Sequence, residues 1–459
     1  MSATINRKQF VQAAVAVAAA VTFYPAESTA ESGYAENPML EIDADWQVRV
    51  NRGTVQAGKR QFRIRERQIL NISQAALNHV NGERVDGMPQ YDPNAAPWAR
   101  GYRLEKLITY ETTAADMLDP ATLALRLHPT DADSLTPRKD YDFEPRWGTV
   151  GLVPGSRAAG RTVFVDYDCG WSRIDSIVID AKNAVSVQEG KPHPATPHPP
   201  VIDPGETVVA NVWVPGRLVK LTEDNLYPIV EPAFPEPRRS GTPAASRLLP
   251  QTWAKIQSRS PLKVLAWGDS VTDGGQASDP AHQYQNVFIA KLKAAYPGAR
   301  PSLTTAAWGG RTSDSFLNEP KGAQHNFDTA VIEPKPDLVI MEFVNDAFMS
   351  PEVVEQKYGY LLKRFNEIGA EWIILTPHFV RPDWMGAKTI RLETDPRPYV
   401  EGVRKFCAAH KVALADASLR WGHLVKEGIP YTTLLCNSIN HPDDRGHEMF
   451  AQSLMELFV

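Results

Sequence analysis

The sequence predicts an α/β fold, a parallel sheet covered by helices, preceded by an all-β, sandwich-like domain. Three observations carry this. From Pro261 onward, short apolar runs alternate with segments of helical periodicity. Between about residues 40 and 225, short segments alternate apolar and polar residues with period two, punctuated by Gly, Pro and Asp. Prolines then gather at the join between the two patterns.

The β-type segments come first. Trp46–Val50, Phe62–Arg65, Leu123–Leu127 and Thr162–Tyr167 each alternate. Trp147–Val153, Ser176–Ile179 and Glu206–Pro215 add further short strands. Turn residues at such spacing suit a sandwich. One proline cluster runs from Pro192 to Pro204 and a second from Pro228 to Pro250. Chain of that composition is stiff and extended, so it reads as a spacer between bodies. The expected division is a signal over 1–30, a β-rich domain over 31–225, a proline-rich linker over 226–260 and an α/β domain over 261–459.

In the last segment, Val264–Trp267 reads as a short buried strand and Asp337–Met341 as an apolar one, with Leu303–Ala306, Trp372–Leu375 and Val412–Leu414 as further strands. His282–Ala295, Glu352–Ile368 and Asp443–Leu457 read as helices, each with apolar residues three and four apart. Apolar strands between helices imply a parallel sheet with both faces covered. The carboxyl ends of its strands are the expected place for a site.

Composition excludes several classes. Of 459 residues, 43% are hydrophobic, so the chain folds. A net charge of 49 − 54 = −5 gives no basic footprint for nucleic acid. No apolar run reaches the length of a membrane span. Cys169, Cys407 and Cys436 are too few and scattered for a disulfide scaffold or a cysteine-rich metal site; they read as buried thiols, with a Cys407–Cys436 pair the alternative in an oxidising compartment. At the N-terminus, Arg7-Lys8 precede an apolar stretch from Ala13 to Val21 and small residues from Ala26 to Ala30. That order reads as a secretory signal, and Arg7-Lys8-Gln9-Phe10 is similar to a twin-arginine motif with Lys in the second arginine position. The expected location is secreted or periplasmic, with no integral membrane segment after signal removal.

The chemistry lies at the predicted strand ends. Gly268-Asp269-Ser270 follows the first strand and places a hydroxyl at a strand-to-helix turn. Trp308-Gly309-Gly310-Arg311-Thr312-Ser313 follows the second, and Glu342-Phe343-Val344-Asn345-Asp346 the third. Asn440-His441-Pro442 precedes the terminal helix, where a histidine reaches a serine across the top of the sheet. A glycine N–H and an asparagine amide are suitable donors to an oxyanion.

These four blocks, in this order, resemble the SGNH (GDSL-type) hydrolase family over about residues 261–459. The resemblance implies a three-layer α/β/α domain and acyl transfer through an acyl-serine, with no cofactor and no metal. It assigns Ser270 as nucleophile and His441 as base. The oxyanion hole would be the backbone N–H of Ser270 and Gly310 with the Asn345 amide. Two positions depart from the family pattern. Phe343 replaces a glycine, and Ser438 stands where an aspartate three residues before the histidine would orient it. A Ser–His dyad oriented by a backbone carbonyl or Asn437, an acid from elsewhere such as Glu342, and a weakened site all remain open. Asp443 and Asp444 are expected to cap the last helix.

Trp308 beside the glycine pair, and Trp384 near His378 and Arg381, offer surfaces for stacking on sugar rings; packing in core or between domains is the equal alternative. Export, a β-rich companion and these tryptophans favour a carbohydrate O-acetyl esterase acting on an acetylated carbohydrate or small ester. The alternatives are an SGNH lipase, thioesterase or arylesterase, or a glycan-binding protein that has lost catalysis.

Overall fold

The computed structural model describes residues 40–57, 60–130, 133–237 and 241–459; the expected signal over 1–30 lies outside them. The C-terminal half is a five-stranded sheet. Its strands, in chain order, are Pro261–Gly268, Arg300–Ala307, Leu338–Glu342, Glu371–Leu375 and Ala413–Ala415. They lie in the spatial order second, first, third, fourth, fifth, and every neighbouring pair is parallel. The chain leaves the first strand for one side and later returns to its other side. The carboxyl end of Pro261–Gly268 is therefore the topological switch point.

Period-two alternation sorts the strand residues into two layers. Leu262, Val264, Ile340 and Ile373 face the helices Tyr284–Ala295 and Asp444–Met455. Leu265, Trp267, Met341 and Ile374 face Pro351–Glu367 and Pro398–His410. Trp267 is the hub of the second layer, with ring centroids of Phe343, Phe327, Phe316 and Phe365 at 5.0, 5.2, 5.7 and 6.3 Å. Truncating such a buried ring costs about 3–5 kcal/mol. Phe343, in the place of the family's glycine, is thus core beneath the site.

The N-terminal region is built of antiparallel sheets. One sheet joins Val185–Gln188, Arg173–Ile179, Thr207–Val214 and Leu226–Pro228; another joins Leu118–Arg126, Thr162–Gly170 and Leu77–Asp86. A small hairpin, Ile108–Thr109 paired with Thr112–Thr113, turns through Tyr110 and Glu111, with Tyr110 at φ +54°. Its base is fixed from both sides. Leu107 is fully buried, and the Thr113 hydroxyl donates to the Trp147 carbonyl.

The segment over 226–260 is more than a spacer. Leu226–Pro228 is a sheet strand, and Ala245–Leu248 and Pro250–Gln257 are helical. From Ile229 to Glu236 the chain runs as a strap along the α/β domain. Val230 and Glu231 donate backbone N–H groups to the Lys426 carbonyl, and the buried Arg420 holds Glu236. Proline stiffens this chain, but docking rather than reach is what the stiffness serves. All three cysteines are buried free thiols, so Cys407 and Cys436 do not pair.

Candidate active site

Ser270 sits just past the first strand of the parallel sheet. The backbone turns so closely there that a Cβ on Gly268 would lie 2.0 Å from Thr272 Oγ1 and 2.2 Å from the Glu342 carbonyl. Only glycine fits, which sets the turn that lifts Ser270 to the surface. Asp269 points inward and is fully buried. Its Oδ1 accepts from Val271 N at 3.1 Å, and its Oδ2 accepts from both the backbone N (2.9 Å) and the amide Nδ2 (2.8 Å) of Asn345. One hydrogen of the Asn345 amide is thereby committed, which fixes the direction of the other.

Glu342 lies behind Asp269. Burial, and then the neighbouring Asp269, raise its carboxyl well above the usual range. Asp269 receives three N–H donors, whereas Glu342 receives the Thr272 hydroxyl at 3.3 Å. The shared proton therefore belongs on Glu342 and the charge on Asp269. Glu342 makes no approach to His441 among its hydrogen bonds, and so is not the orienting acid that its nearness in sequence to Asn345 suggested.

Gly309 and Gly310 form the turn after the second strand, closed by Arg311 N donating to the Trp308 carbonyl at 3.2 Å. A Cβ on Gly309 would stand 3.7 Å from that of Ser270, so this turn abuts the nucleophile. Gly310 has φ +71°, the left-handed region that a side chain strains. Among the described residues, no hydrogen bond uses the backbone N–H of Ser270 or of Gly310.

His441 comes from the loop before the last helix. Its Nε2 is 2.9 Å from Ser270 Oγ. The loop is held by one buried side chain, Asn437. Asn437 Oδ1 accepts from the backbone N–H of Ile439, Asn440 and His441 at 3.0, 2.8 and 3.0 Å. Its Nδ2 donates to Asn440 Oδ1 at 3.1 Å. His378, buried under this loop, contacts the Asn440 carbonyl through Nε2 at 2.7 Å; burial holds its imidazole well below the usual range, hence neutral. Ser438 turns away with φ +56°. Asp443 caps the terminal helix by accepting from Arg445 N and Gly446 N, while Asp444 instead holds Ser278 through both its N and its hydroxyl.

The second nitrogen of His441 meets a residue that sequence reasoning missed. Glu111, at the tip of the N-terminal hairpin, places Oε1 2.8 Å from His441 Nδ1. The Nδ1–H does not point straight along that line, so the carboxylate approaches the ring nitrogen closely without a linear hydrogen bond. Such bonds in unliganded sites often tighten only when substrate is bound. Asn437 Nδ2 donates to the same Oε1 at 2.9 Å, and Gln276 Nε2 to Oε2 at 2.6 Å. Burial alone would raise the Glu111 carboxyl; His441 and Asn437 outweigh it and hold the group at about 2.

The tryptophans divide. Trp308 is half-buried beside the glycine turn, stacked on His325 at 4.6 Å with the Arg311 guanidinium 4.9 Å from its ring centroid. Trp384 packs against Trp98 of the β-rich region at 6.2 Å, and Arg381 lies over Trp147 at 5.1 Å. That second pair joins the domains. No group of His, Cys, Asp and Glu among the described residues has the arrangement of a metal site.

A serine hydroxyl on an imidazole, beside backbone and amide donors at a switch point, has the form of a serine acyl hydrolase site. Residues 266–449 match the GDSL-like lipase/acylhydrolase family, the SGNH family whose blocks the sequence resembles. Solved structures of similar fold include a two-domain esterase active on acetylated mannans, at 18% identity over 46% of this chain and 52% of that one, with a TM-score of 0.38. The match therefore spans about half the length of that esterase. Axe2, an acetylxylan esterase from Geobacillus stearothermophilus, matches at 20% identity over 43% of this chain and 94% of its own, with a TM-score of 0.34. The acetyl xylan esterase AlAXEase matches at 18% identity over 43% and 100%, with a TM-score of 0.34. No curated protein matches the chain.

Proposed function

We propose that this protein is an exported serine esterase that removes O-acetyl groups from a carbohydrate through an acyl-serine intermediate. The observation that carries the reading is the 2.9 Å contact between Ser270 Oγ and His441 Nε2 at the carboxyl end of the first strand of the parallel sheet. His441 takes the hydroxyl proton as Ser270 attacks the ester carbonyl. The tetrahedral oxyanion is met by the N–H groups of Ser270 and Gly310 and by the uncommitted hydrogen of the Asn345 amide. Collapse returns the proton from His441 to the departing sugar oxygen and leaves acetyl-Ser270. A water molecule, deprotonated by the same imidazole, releases acetate.

The carbohydrate part rests on the surface beside Ser270. Gly309, Gly310 and Arg311 are exposed and Trp308 is half-exposed, a polar rim with an aromatic edge rather than an apolar groove. Such a rim suits a hydroxylated leaving group bearing a short acyl chain. Among the described residues no helix is long and apolar enough to cross a membrane.

The test is hydrolysis of p-nitrophenyl acetate and octanoate, and release of acetate from acetylated polysaccharides, by the protein and its Ser270→Ala variant. Serine-dependent turnover that favours acetyl and yields acetate from a glycan is the expected result. Preference for octanoate would replace the proposal with a lipase, and an equally active Ser270→Ala variant would remove it.

A further inference from the structure

We infer that Glu111, carried by the β-rich region, is the positioning acid of the catalytic serine–histidine pair. This rests on the reading of Ser270 and His441 given above. The α/β domain has no acid at the position where its family keeps one: Ser438 has no carboxylate, and its backbone lies in the left-handed region. The vacancy is filled from 330 residues away in the chain, by Oε1 at 2.8 Å from Nδ1.

Three features show a built contact rather than a chance approach. First, both carboxylate oxygens are partnered, by residues flanking the two reacting groups: Gln276 six residues after Ser270, and Asn437 four before His441. Second, the next hairpin residue, the buried Thr112, donates its hydroxyl to the Asn437 carbonyl at 2.7 Å, so the tip is pinned to the same loop that holds His441. Third, the hairpin is rigid at its base through Thr113 and Leu107, and the region behind it is anchored by Asn211 Nδ2 on the Gly428 carbonyl at 2.9 Å and by Arg391 on the Leu226 carbonyl at 3.0 Å.

The consequence is mechanistic. A carboxylate at Nδ1 selects the tautomer with its proton on that nitrogen, leaving Nε2 free to accept from Ser270, and it stabilises the imidazolium formed during attack. The imidazolium gains its proton from Ser270 and gives it to the leaving oxygen; Glu111 stays ionised throughout. The active site is thus assembled from both halves of the chain.

The experiment uses the full chain with Glu111→Gln, Glu111→Asp and Glu111→Ala, beside Ser270→Ala, assayed on p-nitrophenyl acetate. The glutamine presents an amide where the carboxylate was and should lower kcat about 10²–10⁴-fold, with KM changed less than about twofold. Aspartate should recover part of the loss, and formate should restore activity to Glu111→Ala by entering the space left. A merely structural role would move KM rather than kcat and give no rescue by formate. Glu111→Gln with at least half the parental kcat, while Ser270→Ala is inactive, overturns this inference and leaves the esterase reading standing. An active Ser270→Ala overturns both. Should the glutamine variant fold poorly, the formate result on Glu111→Ala decides: rescue supports the assignment and its absence refutes it.

Discussion

Asn437 is the side chain on which the histidine loop hangs, and replacing it with alanine should cost the α/β domain about 3–5 kcal/mol. Its side chain makes five hydrogen bonds: three N–H groups of Ile439, Asn440 and His441 on Oδ1, and Asn440 Oδ1 and Glu111 on Nδ2. Each is worth about 1 kcal/mol net, and a buried donor left without an acceptor costs about 1–3 kcal/mol. Asn437 is only 2% exposed, so water replaces few of these partners directly. Partial relaxation of a six-residue loop brings the sum to the stated range. For a unit of about 200 residues, that is a fall in melting temperature of roughly 6–20 °C. The assay is differential scanning calorimetry of the full chain, with kcat measured below the transition. Activity should fall as well, because the His441 backbone loses an anchor. Asn437→Asp separates the two sides of the residue. It retains the acceptor for three N–H groups but sets a carboxylate against Glu111, so it should melt higher than Asn437→Ala while remaining impaired in kcat. A loss under 1 kcal/mol for the alanine variant would refute the claim that this one side chain holds the loop.

Further outcomes follow from the same geometry. Asn345→Ala removes an oxyanion donor and should lower kcat about 10²–10³-fold with little change in KM, read from steady-state rates. The same variant leaves the buried Asp269 short of one donor, the amide Nδ2, while the backbone N–H at 345 remains, so its melting temperature should also drop, whereas Asn345→Asp should be worse by setting two carboxylates together. Gly310→Ala places a Cβ in open space but at φ +71°, so the expected cost is conformational, about 1–2 kcal/mol, measured by calorimetry. Glu111, held at about 2 against an ordinary 4.5, stabilises the folded chain fully above pH 4.5 and loses that contribution as pH falls toward 2. The melting-temperature gap between the unaltered protein and Glu111→Gln should therefore be constant above about pH 5 and close on acidification; a gap that widens below pH 4 would reverse the sign of the argument.

The parts of the site that could be read from sequence are those whose chemistry is local. Ser270 and Asn345 each stand within a few residues of the end of a buried apolar strand, and Gly310 just past the largely exposed edge strand Arg300–Ala307, so strand prediction and motif point to the same place. His441 is similar, fixed by its position just before the terminal helix. Glu111 has no such mark. It lies in a two-residue turn between strands of two residues each, too short for any period to register, and its partner is on another domain. The one trace of it was negative: an α/β domain with Ser at 438 lacks an acid, and Glu342, nearest in sequence, is buried behind Asp269 with its proton. The prolines between 228 and 237 were legible as stiff chain but not as docked chain, because composition reports stiffness whereas the contacts of Val230, Glu231 and Glu236 belong to tertiary structure. Leu77–Asp86 was missed for a related reason. Its residues alternate between half-exposed and exposed for most of the strand, so the apolar signal that marks a strand is faint.

The hairpin that reaches across to His441 also bears on how this protein can be cut and recombined. Accessory domains of enzymes are usually treated as interchangeable attachments, cloned off or swapped to change where a catalyst is delivered. Here a crossover anywhere between residues 113 and 270 would separate a base from its counter-ion, and a truncated α/β domain would carry its serine and histidine while lacking the carboxylate that completes them. Any chimera must inherit the tip at 110–112 together with the loop at 436–441, as one unit of inheritance spread over two domains.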